Sequence, residues 1–118
     1  MTTSRSEMAI TADKGERALD FLAQTDAEYA DWRVAMLRTE YLAEVTENLI
    51  YKTLRGTGDS VEDCKRAARA SPEFQVKFDE HLKAVREYEF LRARRRRAEL
   101  TFEAWRSINA NRRQGGAT

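Results

Sequence analysis

The feature that most constrains the fold is the last third of the chain, residues 71–113, which has the pattern of one long α-helix. Ser71 and Pro72 form a start signal, because a hydroxyl can accept from the first free N–H groups and proline suits the first helical position. After Pro72 neither proline nor glycine occurs until Gly115. Such a helix would be on the order of 60 Å long, which exceeds the diameter of a compact domain of this size. We therefore expect part of its apolar side to pack against another chain.

Apolar residues recur along this stretch with a mean spacing of about 3.4 residues, close to the 3.5 of a coiled coil and far from the 2 of a strand. The series comprises Phe74, Phe78, Leu82, Val85, Tyr88, Leu91, Ala98, Phe102, Trp105 and Ile108. Arg95 occupies the one position that interrupts it. An all-β fold would need more turn residues than one proline and five glycines. The sequence predicts an all-α fold.

The preceding residues predict three further helices. A weak apolar pattern favours a short helix over residues 13–24, although Gly15 is a poor helix former. The Thr25 to Glu28 run matches a capping box and predicts the start of a long helix over residues 26–55. Glycines in the 56–59 run end that helix, and Ser60 caps a short helix that ends near Ala70.

These elements predict one helical domain over residues 12–113, between disordered segments at 1–11 and 114–118. Two long helices joined through a short one can fold back antiparallel and share a core. The 3.5-type spacing further predicts a helical oligomer with coiled-coil-like packing between chains.

Charge is distributed unevenly. Residues 1–89 hold thirteen Lys/Arg and eighteen Asp/Glu, whereas residues 90–118 hold eight Arg and two Glu. One basic region can therefore face a polyanion while the acidic part meets another subunit or partner. With a single cysteine and no apolar run of membrane-spanning length, we expect a cytoplasmic protein that does not enter a membrane.

No constellation of residues indicates an enzyme. His81 is the only histidine and Cys64 the only cysteine, so we expect neither a metal site nor a cofactor. We interpret His81 as a helix-surface imidazole and Cys64 as a half-buried packing residue.

The strongest functional signal is the arginine run of the last helix. At 100° per residue, one side of the helix carries Arg92, Arg95, Arg96 and Arg106. Arg94 and Arg97 point elsewhere. Arginine suits phosphate recognition, so this side is a candidate DNA-binding strip. The competing interpretation is a solvated face in which Glu99 and Glu103 pair with Arg95 and Arg96.

A second basic group flanks the glycine turn. It includes a tyrosine, Tyr51, that offers either a stacking face for an unpaired base or a core contact. The candidate DNA-binding residues of this group are Lys52, Arg55, Lys65, Arg66 and Arg69.

The order of these features resembles the UvsY family of phage recombination mediators. The resemblance is carried by the Met36-Leu37-Arg38-x-Glu40 run, the Arg55 to Asp59 turn and residues 60–70. This sequence departs from the family pattern at Asn48 and Ile50, where basic residues would be expected.

The resemblance implies a non-enzymatic, ring-like homo-oligomer in the cytoplasm of a bacterial host. Such a protein binds single-stranded DNA and helps load a recombinase onto DNA covered by single-strand-binding protein. A helical protein–protein adaptor without DNA binding, such as a phage-encoded inhibitor or assembly factor, is the alternative.

Overall fold

The structure, a computed structural model, describes the backbone of residues 3–116 and the side chains of residues 13–113. Helix α1 spans Thr3–Arg55, α2 spans Val61–Ala70 and α3 spans Pro72–Gly116. Residues 3–116 contain no strand. The predicted all-α class is therefore confirmed.

The predicted helix start at Thr25 is wrong, because α1 continues through it. A capping threonine would accept from the backbone two or three residues ahead, but the Thr25 hydroxyl donates to the Phe21 carbonyl at 2.7 Å. Thr25 is also buried, with 8% of its surface exposed. The separate helix predicted for residues 13–24 is thus part of the first half of α1.

The predicted boundaries of α2 are confirmed. The backbone N–H of Asp63 donates to Ser60 Oγ at 3.2 Å, which is the expected cap. Gly58 has a φ of 91°, a left-handed conformation that glycine adopts without strain. At the other end Ser71 separates α2 from α3, and its Oγ accepts from the Phe74 N–H at 3.3 Å.

Replacing Ser60 with alanine should lower the free energy of unfolding by about 1 kcal/mol, because the Asp63 N–H loses its acceptor. Urea unfolding followed by circular dichroism measures this change. Ser60→Asp keeps an acceptor at the cap and should be nearly neutral. Equal losses in the two variants would contradict a capping role.

Helix α3 continues to Gly116, three residues past the predicted end near Arg113. The backbone of residues 3–11, predicted to be disordered, lies within α1. Residues 1, 2, 117 and 118 fall outside the described residues. Disorder is a property of motion in solution, so the predicted disorder of residues 1–11 and 114–118 stays a prediction.

The chain forms two compact units, Met1–Tyr29 with Phe90–Thr118, and Ala30–Glu89. In the first unit the helices run antiparallel, because Gly15 lies against Trp105 while Leu22 bonds to Arg95. Its buried residues include Ala18 and Leu91. That these units fold together as the single domain predicted for residues 12–113 stays a prediction.

In the second unit the helices are also antiparallel and small residues form the core. Thr39 Oγ1 lies 3.0 Å from His81 Nδ1, and Arg69 of α2 pairs with Glu47 of α1. The buried side chains are Ala43, Cys64, Ala68 and Ala84. His81 is therefore a helix-to-helix contact, and Cys64 is fully buried, where a half-buried residue was predicted.

Many large apolar side chains remain exposed in this chain. Of the predicted series on α3, Leu91 is buried, but Phe78, Leu82 and Ile108 are 38–48% exposed. The buried core consists mainly of small residues, and these longer side chains lie at its edges. The predicted packing between chains stays a prediction.

Candidate nucleic-acid interface

Arg95 points inward, toward α1 of the first unit. Its Nη1 donates to the Leu22 carbonyl at 2.9 Å and to Thr25 Oγ1 at 2.7 Å, and its Nη2 donates to Asp26 Oδ1 at 2.7 Å. The guanidinium also lies 4.8 Å from the centroid of the Tyr29 ring. Only 14% of the side chain is exposed. Arg95 therefore joins two helices, and three of its five N–H donors bond to α1.

The helical periodicity of α3 explains why the Arg95 side chain points toward α1. Leu91 lies four residues before Arg95 on the packed side of α3 and is buried. The arginine that interrupts the apolar series thus falls on the packed side, where a buried charge needs partners. The Thr25 hydroxyl donates to Phe21, accepts from Arg95 and so supplies one of them.

The rest of the predicted strip borders a shallow hollow on the first unit. This hollow is lined by Tyr29, Arg92, Arg95, Arg96 and Glu99. Arg96 pairs with Glu99 at 3.2 Å, as the competing interpretation predicts, and 64% of its side chain is exposed. The alternative pairing of Arg95 with glutamates of its own helix is wrong, because its carboxylate partner is Asp26.

A second surface, missed by the sequence reasoning, lies beside the strip. Phe21, Phe90, Arg94 and Arg97 line one hollow, and we call them the arginine–phenylalanine surface. The Arg94 guanidinium carbon lies 4.7 Å from the Phe21 centroid and 5.8 Å from the Phe90 centroid. Phe90 is 60% exposed.

A signal for this surface was present in the sequence. Phe90 falls between Tyr88 and Leu91 and outside the apolar series, so it is an aromatic residue that packing does not require. It also precedes Arg94 by four residues, the spacing at which helical side chains meet.

In the second unit, three of the five candidates that flank the glycine turn lie together. Lys65, Arg66 and Arg69 line one hollow of α2 with Glu62. Arg69 Nε donates to Glu47 Oε1 at 2.8 Å. This hydrogen bond and the charge of Glu47 raise the pKa of the Arg69 guanidinium.

The other two candidates, Lys52 and Arg55, are not among the residues that line this hollow. Arg55 Nη1 donates to the Asp59 carbonyl at 2.6 Å, which ties the glycine turn to the end of α1. Lys52 is exposed on α1. The contacts described for residues 13–113 do not bring either side chain to the α2 hollow. Tyr51 is half-buried.

Neither a metal-binding cluster nor a membrane-spanning helix is found in the described part of the chain. Residues 13–113 contain no group of three His, Cys, Asp or Glu side chains placed to hold a metal ion. No helix within residues 3–116 combines the length and the apolar character needed to cross a membrane.

No protein-family model, curated protein or solved structure matches this chain.

Proposed function

We propose that this protein binds single-stranded DNA without sequence preference and acts as a recombination mediator that helps load a recombinase onto it. The observation that carries the proposal is the arginine–phenylalanine surface. There an exposed phenylalanine, Phe90, lies beside the guanidinium of Arg94. The mediator role itself follows from the resemblance to UvsY proteins.

This surface has the chemistry that single-strand binders use. Aromatic rings and guanidinium planes stack on the faces of unpaired bases, and every base has such a face. In a duplex those faces are covered by neighbouring base pairs. The surface is thus expected to prefer single strands and to tolerate any sequence.

Phosphate contacts would come from the arginines around the stacking residues. Arg97 belongs to the surface itself, and Arg92 and Arg96 border the neighbouring hollow. Arg95 does not belong to the DNA-contacting set, because its side chain is largely buried and three of its N–H groups bond to α1. Lys65, Arg66 and Arg69 form a second candidate patch, in the other unit.

Affinity is proposed to arise from repetition of a weak patch. A homo-oligomer, ring-like if the resemblance holds, would present several such patches to one strand and raise avidity without new contacts. Its other proposed partners are the recombinase and the single-strand-binding protein, in the cytoplasm of a bacterial host.

Removing the exposed ring should weaken binding to single-stranded DNA about tenfold, because stacking contributes roughly 1–3 kcal/mol per base. Phe90→Ala tests this by fluorescence anisotropy with a labelled thymidine oligonucleotide at low salt. Leu100→Ala is the matched control, an exposed apolar residue of the same helix and unit (49% exposed). Equal affinities of the two variants would remove Phe90 from the interface.

The same assay distinguishes specific arginine contacts from net charge. Arg94→Ala with Arg97→Ala should reduce the slope of log affinity against log salt by about 1.4, at roughly 0.7 per phosphate contact. Lys83→Ala with Arg86→Ala removes the same charge from exposed positions of α3 in the other unit. Wild-type protein that fails to bind at low salt would refute the proposed function.

A protein–protein adaptor is the second candidate. It is favoured by an apolar hollow on the second unit, lined by Leu49, Ile50, Thr53, Leu54 and Glu73, in which Leu49 is 60% exposed. An adaptor would keep its partner in the Arg94 and Arg97 variant and would show no salt-dependent DNA binding.

A further inference from the structure

Helix α1 carries an exposed apolar row in the second unit. Val34 is 62% exposed, Leu37 is 55% exposed and Tyr41 is 64% exposed. Ala30, one turn earlier, is exposed as well. We call these four residues the α1 seam.

The spacing of the seam is that of a helix-packing stripe. The steps from Ala30 to Val34, Leu37 and Tyr41 are four, three and four residues, the alternation of a and d positions in a heptad. A stripe of this kind is normally covered by another helix. Within one chain its three large side chains remain more than half exposed.

Four charged residues flank the seam at the e and g positions. Asp31 and Arg38 take the e positions, and Arg33 and Glu40 take the g positions. All four are exposed. None of them forms an ion pair or a side-chain hydrogen bond within the described part of the chain.

We propose that a second copy of this chain packs antiparallel on the α1 seam about a two-fold axis. Antiparallel helices bring g positions against g and e positions against e. Arg33 then faces Glu40 of the partner subunit, and Asp31 faces Arg38 of the partner subunit. The two-fold axis repeats each pair, so four attractive pairs border the seam.

The same register matches the apolar side chains by size. Val34 lies opposite Leu37 of the partner subunit, and Ala30 lies opposite Tyr41 of the partner subunit, so the largest side chain meets the smallest. A parallel dimer would instead place Arg33 against Arg38 of the partner subunit, because there g positions face e positions. The order of the charges therefore selects the antiparallel arrangement.

This interface does not depend on DNA binding. A two-fold contact uses the same surface on both copies and closes at two subunits. A ring would require a further interface elsewhere on the chain. The α1 seam spans only about two heptads and therefore buries a small interface, so we expect a dimer of micromolar affinity.

Charge reversals test the pairing. Arg33→Glu brings two glutamates together across the interface, and Glu40→Arg brings two arginines together, so each variant alone should dimerise at least about tenfold more weakly than wild type. An equimolar mixture of the two variants should recover wild-type affinity. In the mixed dimer both contacts between positions 33 and 40 are again between opposite charges.

Sedimentation equilibrium without DNA measures these affinities, and circular dichroism checks that each variant is folded. Arg86→Glu, an exposed reversal on α3, should leave the dimer constant unchanged. Leu37→Glu should give a folded monomer. A monomeric wild type at high micromolar concentration, or a mixture no tighter than the single variants, would overturn the α1 seam dimer whatever the outcome of the DNA assay.

Discussion

Replacing Arg95 with alanine should lower the free energy of unfolding by about 3 kcal/mol, a value typical of removing one partner of a largely buried charged network. The variant loses hydrogen bonds to the Leu22 carbonyl, the Thr25 hydroxyl and the Asp26 carboxylate, together with the contact to the Tyr29 ring. The Thr25 hydroxyl oxygen then stays buried without its donor. Urea unfolding followed by circular dichroism measures the loss.

The adjacent arginine provides the control. Arg96 is 64% exposed and pairs only with Glu99 among the described contacts, so Arg96→Ala should change stability by no more than about 0.5 kcal/mol. Arg95→Lys keeps the positive charge but loses the planar guanidinium with its several donors. Its loss of stability should therefore fall between those of Arg95→Ala and Arg96→Ala. If Arg95→Ala and Arg96→Ala were equally stable, Arg95 would not be a structural contact between α1 and α3.

Replacing Gly15 with alanine should destabilise the protein by about 2 kcal/mol, although helix propensity alone predicts a gain of about 1 kcal/mol at an interior position of α1. A Cβ at this position would lie 2.6 Å from Trp105 Cδ2 and 2.7 Å from Trp105 Cβ. Rotation of the ring could move Cδ2, but Cβ is fixed by the Trp105 backbone, so the helices themselves would have to separate.

A double-mutant cycle isolates this contact. In a Trp105→Ala background the space beside Gly15 opens, and Gly15→Ala should become stabilising by about 1 kcal/mol. The change of sign between the two backgrounds is the expected result. A stabilising Gly15→Ala in the wild-type background would show that the helices are not in close approach at this position.

The structural contacts of Arg95 affect how the candidate DNA-binding strip should be tested. Reversing Arg92, Arg95 and Arg96 together would break the α1 contact and remove surface charge in the same variant. A loss of DNA binding would then have two explanations. Reversing Arg92 and Arg96 alone separates them, because Arg96 lies on the surface and stability can be checked independently.

Much of the secondary structure was determined by the sequence itself, because local signals dominate it. The Ser60 cap, the glycine turn and the Ser71-Pro72 start depend on neighbouring backbone groups, and α2 and the start of α3 follow them. The concentration of arginine in the final third is likewise a property of the sequence, as is its all-α class.

The tertiary structure alone decided the structural roles of Thr25, Arg95 and Gly15. Judged from neighbouring residues alone, the Thr25 hydroxyl could cap the start of a helix. In the structure α1 is continuous through Thr25, and this hydroxyl accepts a hydrogen bond from Arg95, 70 residues away. Gly15 is unfavourable for helix formation when only the sequence is considered, but the structure shows that Trp105 packs against it and leaves no room for a side chain. Local periodicity assigns each side chain a direction on its own helix, whereas the partner it meets there depends on how another helix packs.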